Sequence, residues 1–435
     1  MTGQKSSKNK KEVKNFPVEL SRQVTLDALD KAVQDGAERM IIDILDEEVK
    51  VYLGRDRYDR AIPADFRGYR NGYGRNRRIM VSGFNLAIRL PRICEIPVKQ
   101  PEFESQIIKK HQRRSQRMDD TFKGLYLEGL SCRDFSRAIS YLCAGASISP
   151  AQINHLAQEY QKEYDAFQSR KFSQNRYYYV WADGVYLKGG PDRDKIANLV
   201  ILGVNQDGEK ELLGLVEGYR ESTASWKDLL VDLKKRGLNT PALAIADGNL
   251  GFWGALDEVY PQTGQQRCWK HVMANVLDKL PASRQEEYKD KLRRIYHSDN
   301  KEQAVRLHKQ LSQELKGRYE GAYKSLTRDE PRLFTYFSFP RPHWIHLKTT
   351  NPLESVFSTI RLRTRAMRRI GLIRNATAIV YKLIMTVEPN WRKINQPKRL
   401  HEVGLPGEKK SFDKKLSLLD SVQNCVEIVP HPGCS

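Results

Sequence analysis

Between Arg176 and Trp269 the chain alternates strand-like and helix-like patterns in an order that few folds accommodate. RYYYVWADGVYLK (176–188) is rich in β-branched and aromatic residues and reads as a strand. KIANLVILGVNQDG and KELLGLVEGY continue as two more strands, with Asp207-Gly208 as the turn between them. Ser222 to Leu238 carries Trp226, Leu229, Leu230 and Leu233 at helical spacing. PALAIADG (241–248) is a continuous apolar run, the pattern of a central parallel strand covered on both faces. Leu250 to Tyr260 reads as a short helix, GQQRCW (264–269) as a fifth strand, and 269–280 as a further helix.

Three antiparallel strands, a helix, a buried strand, a helix and a strand is the element order of a ribonuclease H-like core. After it, Tyr288, Leu292 and Ile295, then Ala304, Leu307, Leu311 and Leu315, repeat at helical spacing, with Asn300 and Gln303 as a capping box between the two helices. Aromatic residues follow at Phe334, Tyr336, Phe337, Phe339 and Trp344. This predicts an all-helical insertion, after which the core resumes in TTNPLESVFSTIRLRTRAMRRIGLIR (349–374). There Asn351 is the expected helix cap and Pro352 the first helical residue, with nothing to break about five turns before Gly371. Glu354, Arg361, Arg365 and Arg368 fall within about 40° of one line on that helix, beside an apolar stripe of Leu353, Phe357, Ile360 and Met367. One carboxylate at the head of a row of cations suits a metal-binding acid beside a phosphate track; an amphipathic helix with a solvated basic face is the plainer alternative.

The charge balance favours the first of these. Lys and Arg number 74 against 53 Asp and Glu, a net charge of +21, which suits a protein that neutralises many phosphates. A membrane protein is not expected, because the longest apolar run, Ile196 to Val204, is far short of the ~20 residues a span requires. The start, MTGQKSSKNKKEVKN, has no apolar stretch and reads as a basic tail rather than a secretory signal. The six cysteines form no CxxC pair, which points to a reducing compartment, with a cytoplasmic, nucleoid-associated location expected.

Upstream of the core, Val24 to Tyr52 reads as a helix that Gly36 can break in two. RGYRNGYGRNRR (67–78) interleaves arginines, Arg70 and Arg77 among them, with Tyr69 and Tyr73; such a stretch can grip a sugar-phosphate backbone, or it is a Gly-rich basic loop. Ile79, Val81, Leu86, Ile88 and Leu90 alternate as a hairpin around Gly83. From Asp119 to Tyr164 three helical segments follow, the third capped by Ser149 and Pro150, with Ile153, Leu156, Tyr160 and Tyr164 inward and Gln152, His155 and Gln158 outward. Amides on a basic trihelical unit suit reading of the DNA major groove, although short polar helices take this form for other reasons too.

The fold class expected is therefore α/β: a ribonuclease H-like mixed-sheet catalytic core with an all-α insertion, preceded by a mainly helical DNA-binding region. The expected divisions are a disordered basic tail (1–17), a helix and basic hairpin (18–118) and a helix-turn-helix-like unit (119–170). They continue with a first core segment (171–280), the insertion (281–342), a second core segment (343–395) and a C-terminal tail (396–435). Asp183 sits inside an apolar run, where a carboxylate is costly without a partner, and Asp247 ends ALAIA, at the carboxyl end of a central strand where α/β sites gather. An Asp-Gly turn is the alternative for each. Together with Glu354 they would cage two hard divalent ions, Mg²⁺ or Mn²⁺, for in-line phosphodiester attack.

With these residues the chain resembles the Mutator-like transposases of bacterial insertion sequences, which carry an Asp, Asp, Glu triad on a ribonuclease H-like fold. The matching pieces are WADGVYLK (181–188), AIADG and RCWKHVMANV (244–248 and 267–276) and HWIHLKTTNPLESVFSTIRLRTR (343–365), with YRNGYGRNRR and LYLEGLSCRDFSRAISYL upstream. The resemblance implies that Asp183, Asp247 and Glu354 are the catalytic metal ligands and that Arg361 is the family's basic position. Cys268 and His271 stand at the family's Cys-x-x-His pair; alone they make half a zinc site, and a local structural or DNA-contact role is expected of them. Trp344 can stack on a distorted base or serve as a core aromatic. The implied function is a transposase that binds the terminal inverted repeats of an insertion sequence, cleaves each end and joins the 3′-OH to target DNA, working as a dimer or larger. The rival readings are another metal-dependent nuclease of the same fold and a catalytically dead transposase-derived regulator.

Overall fold

The computed structural model describes residues 22–131, 134–142, 148–187, 196–218, 222–248, 251–366 and 373–406. The expected N-terminal tail, Met367, Arg368 and the chain from 407 onward lie outside the described residues. Two compact units divide the chain, Met1–Gly124 with Arg133–Pro150 and Leu125–Cys132 with Ala151–Ser435.

In the first unit α1 (Arg22–Leu53) is one helix; Gly36 does not break it, because helical hydrogen bonding continues on either side of it. Leu45, Val49 and Leu53 are buried, whereas Leu26, Leu29 and Met40 are exposed. The basic Gly/Tyr stretch is not a loop. It forms β1 (Tyr69–Val81), paired antiparallel with β2 (Phe84–Cys94) through a two-residue turn at Ser82-Gly83. Both turn residues have positive φ, 49° and 92°, the geometry that matches strand twist in a tight hairpin. Ile79, Leu86 and Ile88 bury one face of this hairpin with Leu45 of α1. The helices α2 (Gln116–Leu127) and α3 (Phe135–Leu142) meet through Phe122 and Phe135, both buried.

In the second unit α4 (Pro150–Gln168) is fastened at its far end to the sheet by Tyr164 donating to the Leu215 carbonyl at 2.8 Å. The sheet contains β3 (Tyr177–Leu187), β4 (Ile196–Asn205), β5 (Lys210–Gly218), then β6 (Leu243–Ala246) after α5 (Thr223–Lys235), and β7 (Gly264–Arg267) after α6 (Phe252–Val259). Its order is β5-β4-β3-β6-β7, with the first three strands antiparallel and β3, β6 and β7 parallel. This is the mixed α/β arrangement of five strands that the element order predicts. Ser222 caps α5 by accepting the Ser225 amide at 3.2 Å. Trp226, Leu229 and Leu233 of that helix pack with Phe252 and Leu256 of α6 against Val180, Ala182 and Ala244.

After α7 (Trp269–Leu277) come α8 (Ala282–Tyr296), α9 (Lys301–Leu315) and α10 (Glu320–Thr327), the expected run of helices; Asn300 caps α9 by accepting the Gln303 amide at 2.9 Å. The chain returns through α11 (Trp344–Leu347) to α12 (Asn351–Ala366) and α13 (Ile373–Val387), which lie over β3 and β5 on the face opposite α5 and α6. Both faces of the sheet are thus covered, which is why its strands read as near-continuous apolar runs. Residues 396–406, expected to lie in an unpatterned tail, instead pack on this unit, with Leu400 and Leu405 buried. Gly208, at the β4–β5 turn with φ of 76°, has no room for a side chain because Pro397 would lie 2.5 Å from it.

Candidate active site

Asp183 lies inside β3, not at a turn: it pairs with Val200 of β4 on one side, while on the other the parallel ladder with β6 ends at Ala182↔Ala246. Asp247 follows Ala246 directly, so the two aspartates leave adjacent parallel strands at one level, where strands lie roughly 4.8 Å apart. Each carboxylate accepts the amide of the glycine after it, Gly184 at 2.8 Å and Gly248 at 2.5 Å. Of these two Asp-Gly pairs, Asp183-Gly184 lies within a strand and Asp247-Gly248 just past a strand end.

Glu354 arrives from the first turn of α12. Several bonds position that turn. Trp181 of β3 donates to the His346 carbonyl at 3.1 Å, and the Trp269 amide bonds the Lys348 carbonyl at 2.9 Å. The buried Cys268 sulfur accepts from the Thr350 amide at 3.3 Å and its hydroxyl at 3.4 Å. Leu353, Phe357 and Ile360 are buried beneath α12, as the apolar stripe predicts, and Val356, outside that stripe, is buried with them. Asp183, Asp247 and Glu354 line one cavity of about 880 Å³ with Lys270, His271 and Arg361.

The electrostatics of this cavity are uneven. Burial pushes Asp183 up to about 6, against the Gly184 hydrogen bond and the nearby His271; Asp247 and Glu354 raise it further. His271 is pushed up to about 9, chiefly by the Cys268 sulfur beside it and then by Asp247 and Asp183, against burial. Lys270 pairs with Glu354 Oε2, while Glu354 Oε1 is buried with no hydrogen-bond partner. Arg361 lies two turns along from Glu354 with its guanidinium 5.8 Å from the Phe357 ring. Cys268, His271 and Glu354 also have their ligand atoms within 4.8 Å of one another, close enough to share a metal ion.

The model of the transposase family called "Transposase, Mutator family" matches residues 8–394. The chain belongs to that family. It is 42% identical over 281 residues to the transposase for insertion sequence element IS6120 of Mycolicibacterium smegmatis, covering 64% of this chain and 87% of that one. It is 29% identical to the transposase for ISRM5 of Rhizobium meliloti, over 81% of this chain and 87% of that one. The transposase for IS256 in transposon Tn4001 of Staphylococcus aureus is 22% identical over 83% of this chain and 93% of its own. A simian T-cell lymphotropic virus intasome in complex with PP2A regulatory subunit B56 gamma aligns over 38% of this chain and 66% of that chain at 12% identity and a TM-score of 0.16, too slight to bear on the fold. The protein is therefore a transposase of insertion sequences, an enzyme of DNA transposition that binds DNA.

In this Mutator-family transposase several residues expected at the DNA have other partners. Arg70 pairs with Asp46 of α1 at 3.8 Å, and Arg77 donates to the Gln112 carbonyl at 2.6 Å, so both hold the first unit together. Cys268 is fully buried, with its sulfur turned to Thr350. Trp344 is half-buried; it donates to the Phe339 carbonyl at 2.7 Å, and its ring lies 4.8 Å from Phe337 and 5.6 Å from Tyr336. Gln152, His155 and Arg365 are exposed. Lys270 is a site residue that sequence reasoning misses. Its only sequence signal is a cation between Cys268 and His271 in CWKH, one helical turn or less from both. Among the described residues no helix is long and apolar enough to cross a membrane.

Proposed function

We propose that the second unit is a ribonuclease H-like core in which Asp183, Asp247 and Glu354 hold two Mg²⁺ or Mn²⁺ ions and catalyse end cleavage and strand transfer. The observation that carries this is three carboxylates, from β3, the end of β6 and α12, lining one cavity with two cations. The donor set fits. All three offer hard oxygen atoms, Asp183 is largely desolvated with one amide to neutralise it, and Glu354 Oε1 is buried and unpartnered. When bound, two such ions would supply activation of a water or 3′-hydroxyl nucleophile and charge stabilisation for the leaving oxygen.

The chain's own residues supply the rest. Lys270, on the cavity rim, releases Glu354 Oε2 and turns its ammonium to a phosphate oxygen. Arg361, held over Phe357 about 10 Å along the helix axis, takes a phosphate further along the strand. Arg365 continues this track. Arg368, the last cation of the predicted line, lies outside the described residues. The terminal inverted repeats bind the region upstream of about residue 170, where Gln152 and His155 on the outer face of α4 meet base edges, and two copies bring the two ends together. To test the core reading, Asp183→Asn and Glu354→Gln are assayed for Mg²⁺-dependent cleavage of end DNA and for DNA binding. Loss of at least a thousandfold in cleavage with binding retained is expected; cleavage retained in either variant rejects the triad. Joining of the cleaved 3′ ends to a second duplex separates a transposition core from a plain nuclease.

A further inference from the structure

We infer that Cys268, His271 and Glu354 form a second kind of metal site, for one thiophilic divalent ion of the Zn²⁺ class, whose binding withdraws Glu354 from the Mg²⁺ pair. Three observations support it. The ligand atoms of these residues lie within 4.8 Å of one another. A tetrahedral ion bound at about 2.0–2.3 Å separates its ligands by roughly 3.3–3.7 Å, a difference that rotation of the His271 and Glu354 side chains can span. His271 Nδ1 and Glu354 Oε1 are each buried without a hydrogen-bond partner, so two of the three residues carry an unsatisfied atom. The Cys268 sulfur accepts two hydrogen bonds from Thr350, at 3.3 and 3.4 Å, which favour the thiolate that a metal requires.

The donor types separate this site from the proposed catalytic one. A thiolate and an imidazole are poor ligands for Mg²⁺ and good ones for Zn²⁺ or Co²⁺, whereas Asp183 and Asp247 offer only oxygen. Lys270 occupies Glu354 Oε2 and leaves Oε1 free. Binding releases the thiol proton, and any proton on His271, to solvent; no electron moves. Glu354 is common to both sites, so a thiophilic ion and the Mg²⁺ pair compete for it. That second half rests on the proposed function, whereas the site itself does not.

The test uses the full chain under reducing conditions. Co²⁺ added without Mg²⁺ should give the near-ultraviolet thiolate-to-cobalt band and the intense visible bands of a tetrahedral site at one equivalent. Zn²⁺ should erase them, Cys268→Ser should lack the thiolate band, and His271→Gln should bind at least tenfold more weakly. No band in the wild-type chain, or an undiminished one in Cys268→Ser, overturns the site. Should both variants fail to fold, the wild-type chain still decides: its Co²⁺ affinity should fall at least tenfold as Mg²⁺ is raised to saturation. Affinity indifferent to Mg²⁺ overturns the competition for Glu354. Because the cobalt bands require no cleavage, a failed triad and a failed thiophilic site give different results.

Discussion

Burial pushes Asp183 up to about 6 from its ordinary 3.8, so between those values the native chain holds a proton that the unfolded chain has lost. The sign of the linkage follows. Stability from this group is fully present below about pH 4 and is lost as pH rises through about 6. Without metal, Asp183→Asn should therefore be more stable than wild type by about 3 kcal/mol at pH 8, and not at pH 4, by urea denaturation. Mg²⁺ needs the carboxylate form, so at limiting Mg²⁺ cleavage of end DNA by the wild-type chain should fall as pH drops below about 6, and raising Mg²⁺ should move that fall to lower pH. The same residue that weakens the metal-free fold is thus the one that most favours a bound cation. Sequence exposed half of this, since a carboxylate inside an apolar run is conspicuous; it did not show that Lys270 covers Glu354.

At the scale of elements, the cavity depends on how the helical insertion is held to the sheet. Arg267, at the end of β7, is 1% exposed and pairs at 2.9 Å with Asp329, which follows α10. Gly248, next to Asp247, lies against that pair: a side chain there would meet the Arg267 guanidinium at 2.4 Å and Asp329 at 2.8 Å. Asp329→Ala leaves a buried guanidinium unpaired and should destabilise the protein by about 3–5 kcal/mol in urea denaturation. It should also lower cleavage more than DNA affinity, because the loosened arginine adjoins the Asp247 turn. The insertion helices themselves were legible from apolar spacing and the Asn300 cap. Their attachment was not, because Arg267 and Asp329 are 62 residues apart in a sequence full of both charges.

The whole molecule carries a net charge of +21, so DNA affinity should fall steeply and linearly on a log–log plot against salt. Arg361→Ala should reduce that slope by about one. Arg77→Ala should leave the slope unchanged and weaken the first unit instead, since its guanidinium is held by the Gln112 carbonyl. Salt titration of end binding for the three proteins checks both. By itself the sequence determined the strand and helix order, through periodicity and apolar runs, and it marked three acids and a capped helix as unusual. Only the tertiary structure decided which charges remain free. Arg70, Arg77 and Lys270 carry the same charge as Arg361 and Arg365, and nothing in their local sequence assigns them a different partner. A cation's role is set by the nearest acceptor, and for Arg70, Arg77 and Lys270 that acceptor is brought from 24 to 84 residues away by the fold.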